Sequence, residues 1–582
     1  MSVDITTLAV IRGALETIAL EMDNTLPMAA FSSSIAEGCD YADGIYTKTG
    51  EVVVQGQESL PMFMAMQQYS LQESLAIIDI NEVSPGDIYI VNDVYVGGCH
   101  LMDVRLFQPF FFKDELCLFL SNVGHWLDVG GNVPGGYNPQ ATEIFQEGLR
   151  IPPVKVYSQG NLDKDIVSLI TRNVRTPKEA YGDLMAQIKA IHVGESRLNE
   201  LFQKYGSRLV LESIGELKVR SEQQMRSYIR EIPEGVYTFT DCLDNDGVRD
   251  EPMVINVKME VKGDKIHFDF SGSSKLSPGF ANIVETITRT SCFFTMKHIF
   301  PDVPINSGCF KPISFTIPEG IFLNSTPPHA TGLNPEICSR VADAVFGVFA
   351  QAIPEKSYAA SYGTSNHMTI AGTDPLKGNY LVYAFWGGGL GGHAKGDGLT
   401  HGVHPPTSAK TQPIEVYEQR FPFLFNRFAI REGSAGPGKY RGGFGMEFEM
   451  EILRGEASAT HTGDRGMKAP FGINGGKEAQ KNELQYYLGG KEFIPPRVSK
   501  VVGVKMQKGD KIIVRSPGGG GYGNPFERDV NLVLRDVKMR YITIDSAEKD
   551  YGVAIVKKDN ELQIDYERTA QLRSTKSAGK AP

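Results

Sequence analysis

Two short stretches of this chain carry the residue types from which metal chemistry is built. Gly97-Gly98-Cys99-His100-Leu101-Met102-Asp103 precedes an apolar run, Val104 to Phe112. Gly124-His125-Trp126-Leu127-Asp128-Val129-Gly130-Gly131 follows a second run, Leu116 to Val123. Lys113-Asp114-Glu115 separates the runs as a polar break of hairpin length. Asp103 lies eleven residues before Asp114 and His125 eleven after it. An antiparallel pair folded at that point sets the two opposite each other, on the order of 5 Å apart. His100 arrives from the glycine turn just before, so imidazole, carboxylate and imidazole converge on one divalent cation. Zinc is the first choice, with manganese and iron as alternatives, because all three accept this donor set. The competing reading is that both histidines satisfy hydrogen bonds near a turn. The mirrored spacing favours the cation, which would activate water or polarise a carbonyl oxygen. Cys99 is expected to face away from the cluster, on the other side of an extended segment.

The elements that position these residues can be read from periodicity. Ile5 to Leu26 repeats apolar residues at helical spacing (Leu8, Ile11, Leu15, Ile18, Met22). Short strands and Gly/Pro turns then carry the hairpin, which makes 1–162 an N-terminal α+β region. A helical block follows at about 163–232, with Leu184, Ile188, Ile191, Leu198 and Leu201 as its stripe and Pro177 in a first turn. Region 233–355 reads as hairpins turning at Asn245-Asp246-Gly247 and Lys262-Gly263-Asp264, with a helix from Ala342 to Ile353. A glycine-rich β region fills 356–567. Residues 568–582, with no large apolar residue apart from Leu572, read as a disordered tail. The expected class is α+β: a multi-domain, mixed β-rich body around one helical block.

The segment Asn92-Asp93-Val94-Tyr95-Val96-Gly97-Gly98-Cys99-His100-Leu101-Met102-Asp103 resembles the N-D-P-Y-x-G-G-x-H-x-x-D motif of the hydantoinase B/oxoprolinase family. Gly124-His125 with Asp128 and Gly130-Gly131, then Ala141 to Lys155, then Pro517 to Pro525, extend the resemblance over nearly the whole chain. Asp40 occupies the aspartate position of the family's S-x-N-I-K-E-R-x-D segment, which implies a fourth ligand; a turn residue is the plainer alternative. Ser34, Ala36 and Gly38 depart from that segment's Asn, Lys and Arg, which argues against assigning the usual hydantoinase specificity. Asp128 and Glu143 are the catalytic candidates, and Asp128 is expected to orient an imidazole or act as a base. Structural pairing accounts for Glu147 with Arg150, and for Asn334, Glu336, Arg340 and Asp343, at least as well as catalysis does.

The resemblance implies one subunit of an ATP-dependent enzyme. ATP and Mg would be bound by a hydantoinase A-type partner with an actin-like ATPase fold, in a hetero-oligomer. The first expectation is hydrolysis of a cyclic amide (lactam, hydantoin or 5-oxoproline-like ring) whose carbonyl oxygen the partner has phosphorylated. The alternatives are a subunit of a ketone carboxylase of the acetone or acetophenone type, and a non-catalytic scaffold for the ATPase.

Other signals are set aside. Gly387-Gly388-Gly389-Leu390-Gly391-Gly392 formally contains GxGxxG without a strand–glycine–helix unit, and Pro517 to Pro525 resembles a tight backbone crossing and lacks a phosphate-loop lysine; structural turns using φ > 0 are the expected role of these glycines. His393, His401 and His404 show no convergent carboxylate pattern, and Ser361 and Ser365 near His367 form no nucleophile elbow. A net charge of −10 argues against nucleic acid. No apolar run approaches the roughly 20 residues needed to span a bilayer. Met1-Ser2-Val3-Asp4 lacks signal-peptide features, and seven cysteines form no CxxC pair. A reduced, cytoplasmic protein is the expectation.

Overall fold

The computed structural model describes residues 3–578. An antiparallel sheet forms its N-terminal part, in the order Val52–Gln55, Tyr41–Thr47, Glu115–His125, Asp103–Phe112, Ile88–Val91, Val154–Ser158, Asn161–Leu162. The helix Ile5–Ala29 buries the expected stripe, including Leu8, Ile11, Leu15, Ile18 and Met22, and Asp4 caps its start by accepting from the amides of Thr6 and Thr7. It packs against the long helix Pro177–Tyr205 of the helical block, and both lie over the sheet.

The central hairpin reaches its register by an unexpected route. Its turn is the two residues Lys113 and Asp114, both with positive φ, and Phe112 faces Glu115. A two-residue turn alone carries Asp103 to Gly124. A bulge at Cys117, between the pairs Phe111–Leu116 and Phe110–Leu118, moves the register by one residue, and Asp103 faces His125.

A second sheet joins Gly235–Leu243, Met253–Lys262 and Lys265–Asp269 as antiparallel neighbours, with Ile313–Thr316 added in parallel. The loop around Asn245-Asp246-Gly247 is longer than a tight turn, since the strand ends at Leu243 and its partner begins at Met253. The helix expected from Ala342 begins at Asn334, with Pro335 in its first turn, and runs to Ala352. Two further sheets, one containing His367–Asp374 and Gly378–Ala384 and the other Met446–Ile452 and Lys511–Arg515, enclose a core around Trp386, Ile370, Phe448 and Ile512. The first core draws on residues from Ile11 to Ile353 and adds Tyr383, Phe385 and Ala409 from the glycine-rich region. Tyr566–Ala578 is a helix rather than the disordered tail expected from 568, because Thr569 is buried and the side chain of Arg573 bonds the carbonyls of Tyr551 and Arg528. The rest of that expectation, 579–582, lies outside the described residues.

The glycine-rich segments form a lattice rather than turns. Gly519, Gly520, Gly521 and Tyr522 donate in succession to the carbonyls of Gly443, Ala360, Lys477 and Tyr440. Their own carbonyls accept from Gly436, Gly392, Ile473 and Tyr440. Bonds to the 440–443 segment recur every third residue, the period of an extended three-fold chain. Neighbouring backbones come so close that a Cβ on Gly520 would lie 1.9 Å from the carbonyl oxygen of Phe471. Among the described residues, positive φ is recorded for Gly523 but not for Gly387–Gly392 or Gly518–Gly521. Close approach, not left-handed backbone, is what selects glycine here.

A buried charge network ties the second sheet to the third. Asp464 binds Arg340 at 2.7 Å and Lys500 at 2.8 Å, while Arg465 binds Asp343 at 2.6 Å and Asp241 at 3.2 Å. Arg340 and Asp343, expected to pair along their helix, instead reach partners on other elements.

Candidate functional site

The open end of the hairpin places Asp103 between two imidazoles. Its Oδ2 lies 3.3 Å from Nδ1 of His100 and its Oδ1 lies 3.4 Å from Nδ1 of His125. Asp40 approaches from the other side, with Oδ2 at 3.8 Å from the same His125 nitrogen. The rings of His100 and His125 meet edge to face with centroids 4.9 Å apart. All four residues suggested as ligands are therefore brought together.

Backbone and second-layer contacts fix each one. Gly97 takes φ 64° where a Cβ would strike the backbone of Ser70, and Gly98 sits against the guanidinium of Arg105. That guanidinium is buried and donates to Ser70 Oγ and to the carbonyls of Val96 and Asp93, holding the loop that delivers His100. Asn92 donates to the carbonyls of Leu101 and Leu149 and accepts from the Ile151 amide. Ser34 Oγ donates to the His125 carbonyl, and the His125 amide donates to the Asp40 carbonyl, which locks the Asp40 segment to the strand.

Electrostatics favour a cation here. Burial opposes ionisation of Asp103, yet the adjacent imidazoles outweigh it and hold the carboxyl below its usual range. Burial pushes Asp40 up to about 6, against the pull of His125, and takes His100 down to about 4. His100 Nδ1 and Asp103 Oδ2 are buried without hydrogen-bond partners. Such orphaned polar atoms are costly, and a shared divalent ion satisfies both. The ligand-type atoms of Cys99, His100 and Asp103 all lie within 4.8 Å of one another, so Cys99 turns toward the cluster and not away from it. Its Sγ donates to Asn334 Oδ1 at 3.0 Å, and burial raises its thiol well above the usual range, so it stays protonated. The segment is not extended at Cys99, which defeats the alternation on which the expectation rested.

The two catalytic candidates lie elsewhere. Asp128 accepts from the amides of Gly130, Gly135 and Arg175 and from the Arg175 guanidinium, which uses its carboxylate to hold the loop after the hairpin. Glu143 is exposed and starts a short helical turn through a reciprocal cap with Gln146. Glu147 and Arg150 do not pair: Glu147 accepts from the amides of Thr331 and Gly332, and Arg150 binds Asp93.

The far wall of the site comes from residues the sequence reading did not name, Tyr137 and Tyr383, or set aside, His367 and His404. Tyr137 lies against His100, its hydroxyl 3.1 Å from Nε2, and stacks on His367 with centroids 4.7 Å apart. Tyr383 stacks on His125 at 4.7 Å and pairs its hydroxyl with Nδ1 of His367 at 2.7 Å. His404 sits between the hydroxyls of Ser339 and Ser365. Together with Asp40 they surround a cavity of about 30 Å³, room for little more than water. His367 arrives from a different sheet and His404 from a loop.

Residues 4–525 match the hydantoinase B/oxoprolinase family. The chain belongs to that family. It is 32% identical over 592 residues to the caprolactamase subunit beta of Pseudomonas jessenii, a match covering 98% of this chain and 99% of the relative. The crystal structure of the ATP-dependent caprolactamase from that organism superposes with a TM-score of 0.92 at 31% identity, covering 99% of this chain and all of the other. An acetone carboxylase chain shares the fold, with a TM-score of 0.90 at 19% identity over 99% of this chain and 84% of that one. Among the described residues no helix is long and apolar enough to cross a membrane.

Proposed function

We propose that this family member is the cation-holding subunit of an ATP-dependent cyclic-amide hydrolase, acting on a lactam, hydantoin or 5-oxoproline-like ring activated by an A-type ATPase partner. The observation that carries the reading is the buried His100–Asp103–His125–Asp40 cluster with its two orphaned ligand atoms, in a chain resembling a caprolactamase beta subunit along its length. These four residues would hold the ion, and Tyr137 orients His100 through Nε2, leaving Nδ1 for the ion. A divalent ion there supplies Lewis acidity, polarising a carbonyl oxygen or making water more acidic.

The chain's own groups supply the rest. Tyr137, Tyr383 and Phe385 line the cavity and exclude bulk water from it. Phosphoryl transfer is assigned to the partner, with ATP and Mg bound there, in a hetero-oligomer stable enough to pass the activated species without release.

Elemental analysis of the purified chain, followed by assay of the complex co-expressed with its ATPase partner, tests the proposal. The expected result is about one equivalent of zinc, manganese or iron per chain, with ATP-dependent ring opening of lactam probes. Turnover only of ketone with bicarbonate would replace the reading with carboxylation, and a chain that retains no metal would leave a scaffold.

A further inference from the structure

His367 and Glu336 face each other on the wall opposite the cation ligands, and the proposed chemistry so far uses neither. His367 opens the strand His367–Asp374, and Glu336 lies in the first turn of the helix Asn334–Ala352. Both are buried, at 5% and 0% exposure. The imidazole is held on one side only: Tyr383 takes Nδ1, while Nε2 has no hydrogen-bond partner and lies 3.8 Å from Oε1 of Glu336. Oε1 accepts from the Ser365 amide, and Oε2 is orphaned in its turn. Tyr137 stacks flat on the imidazole at an interplanar angle of 13°, so the ring keeps one orientation.

A wall built only for packing has no use for these groups, since two apolar side chains of similar volume would fill it without stranding buried nitrogen and oxygen. An acid–base pair does need them, because its free positions must be open to a proton. Burial also pushes the Glu336 carboxyl up to about 8 and, with the neighbouring histidines, holds the His367 imidazole well below its usual range, so the resting proton sits on Glu336.

We propose that His367 is the acid–base residue of the cavity and that Glu336 positions it and holds the proton in transit. The inference deepens the hydrolase reading and rests on it for its substrate. With a lactam whose oxygen the partner has phosphorylated from ATP, water attacks the ring carbon of the C=N–R group. One O–H bond breaks, a C–O bond forms, and the C=N π pair moves to nitrogen. The proton released passes through His367 to Glu336 and returns to that nitrogen. The second O–H bond then breaks as C=O forms, its proton follows the same route, and the C–N bond breaks with nitrogen keeping the pair. The products are an amine carrying both water protons and an acyl phosphate, which a further water hydrolyses.

The test uses the co-expressed complex with ε-caprolactam, 2-pyrrolidone and 5-oxoproline as probes. His367→Gln is expected to lower kcat by about 100-fold or more while the metal content of the complex stays at the wild-type level. Glu336→Gln is expected to lower kcat with KM little changed, and Glu336→Asp to restore part of the loss. A His367→Gln complex that keeps its metal and wild-type kcat overturns the proposal, as does a Glu336→Gln loss confined to KM. If the wild-type complex retains metal but opens none of the rings, the hydrolase reading fails, and the pair is decided without turnover. ¹⁵N-histidine NMR of the purified chain, with His367 assigned from the signals missing in His367→Gln, is then expected to show its imidazole shifts moving in Glu336→Gln. Unmoved shifts overturn the pairing.

Discussion

Asp103 is shared between two imidazoles, one on each carboxylate oxygen. Asp103→Asn keeps its size and removes its charge. It is expected to weaken cation retention by more than the roughly 10–100-fold typical of losing an outer partner. Tyr137→Phe, which strips only the hydroxyl facing His100 Nε2, is expected to fall within that range. Competition with a chelator measures both, and equal effects would show that Tyr137 is itself a ligand. Glu147 supplies a pH test. Burial raises its carboxyl to about 8 despite the amides of Thr331 and Gly332, so the folded chain keeps a proton that the unfolded chain releases near 4.5. Its contribution is complete below the unfolded value and is lost as pH rises through 8. Thermal unfolding should therefore show stability falling from pH 5 to 8, and Glu147→Gln should flatten the slope. His100, Asp103 and His125 were legible in the sequence because a single hairpin carries them. His367 was not, because nothing near it signals the tyrosine or the glutamate it meets.

At the scale of elements, the hairpin was read correctly in outcome and incorrectly in construction. Symmetry about Asp114 gave the right partners, but the turn is one residue shorter than that symmetry assumes and the bulge at Cys117 supplies the difference. Two deletions separate these accounts. Removing Cys117 takes out the bulge and leaves Asp103 opposite His125, so metal content should survive. Removing Gln108 from the facing strand slides Asp103 toward Gly124, and metal content should fall, because a one-residue slip turns side chains to the other face. Asp128 failed for a related reason. Three residues after His125 suggests a neighbour, yet the chain leaves the strand at His125 and its next carboxylate is drawn into a loop by Arg175.

Across the whole molecule, burial without periodicity hid the most. Asp464 carries no pattern in the sequence, yet its carboxylate is fully buried between Arg340 and Lys500. Asp464→Asn leaves two cations short of a counter-charge and is expected to cost about 3–5 kcal/mol, read as a lower denaturation midpoint. Glycine runs were legible in part: Pro517 to Pro525 read as a tight crossing, which the close backbone approaches bear out, but composition does not otherwise separate a turn from a crowded lattice. Gly520→Ala, whose methyl group meets the carbonyl of Phe471, is expected to cost about 3 kcal/mol or more. The lattice also orders events in time. Gly519 to Tyr522 bond to segments near residues 360, 392, 440 and 475, all of them synthesised earlier. A growing chain therefore holds these outer backbones without their centre until Gly519 to Tyr522 are made. Pairing of such long sequence separation is slow, and a chain cut before Pro517 would lack the strand of backbone that joins these segments.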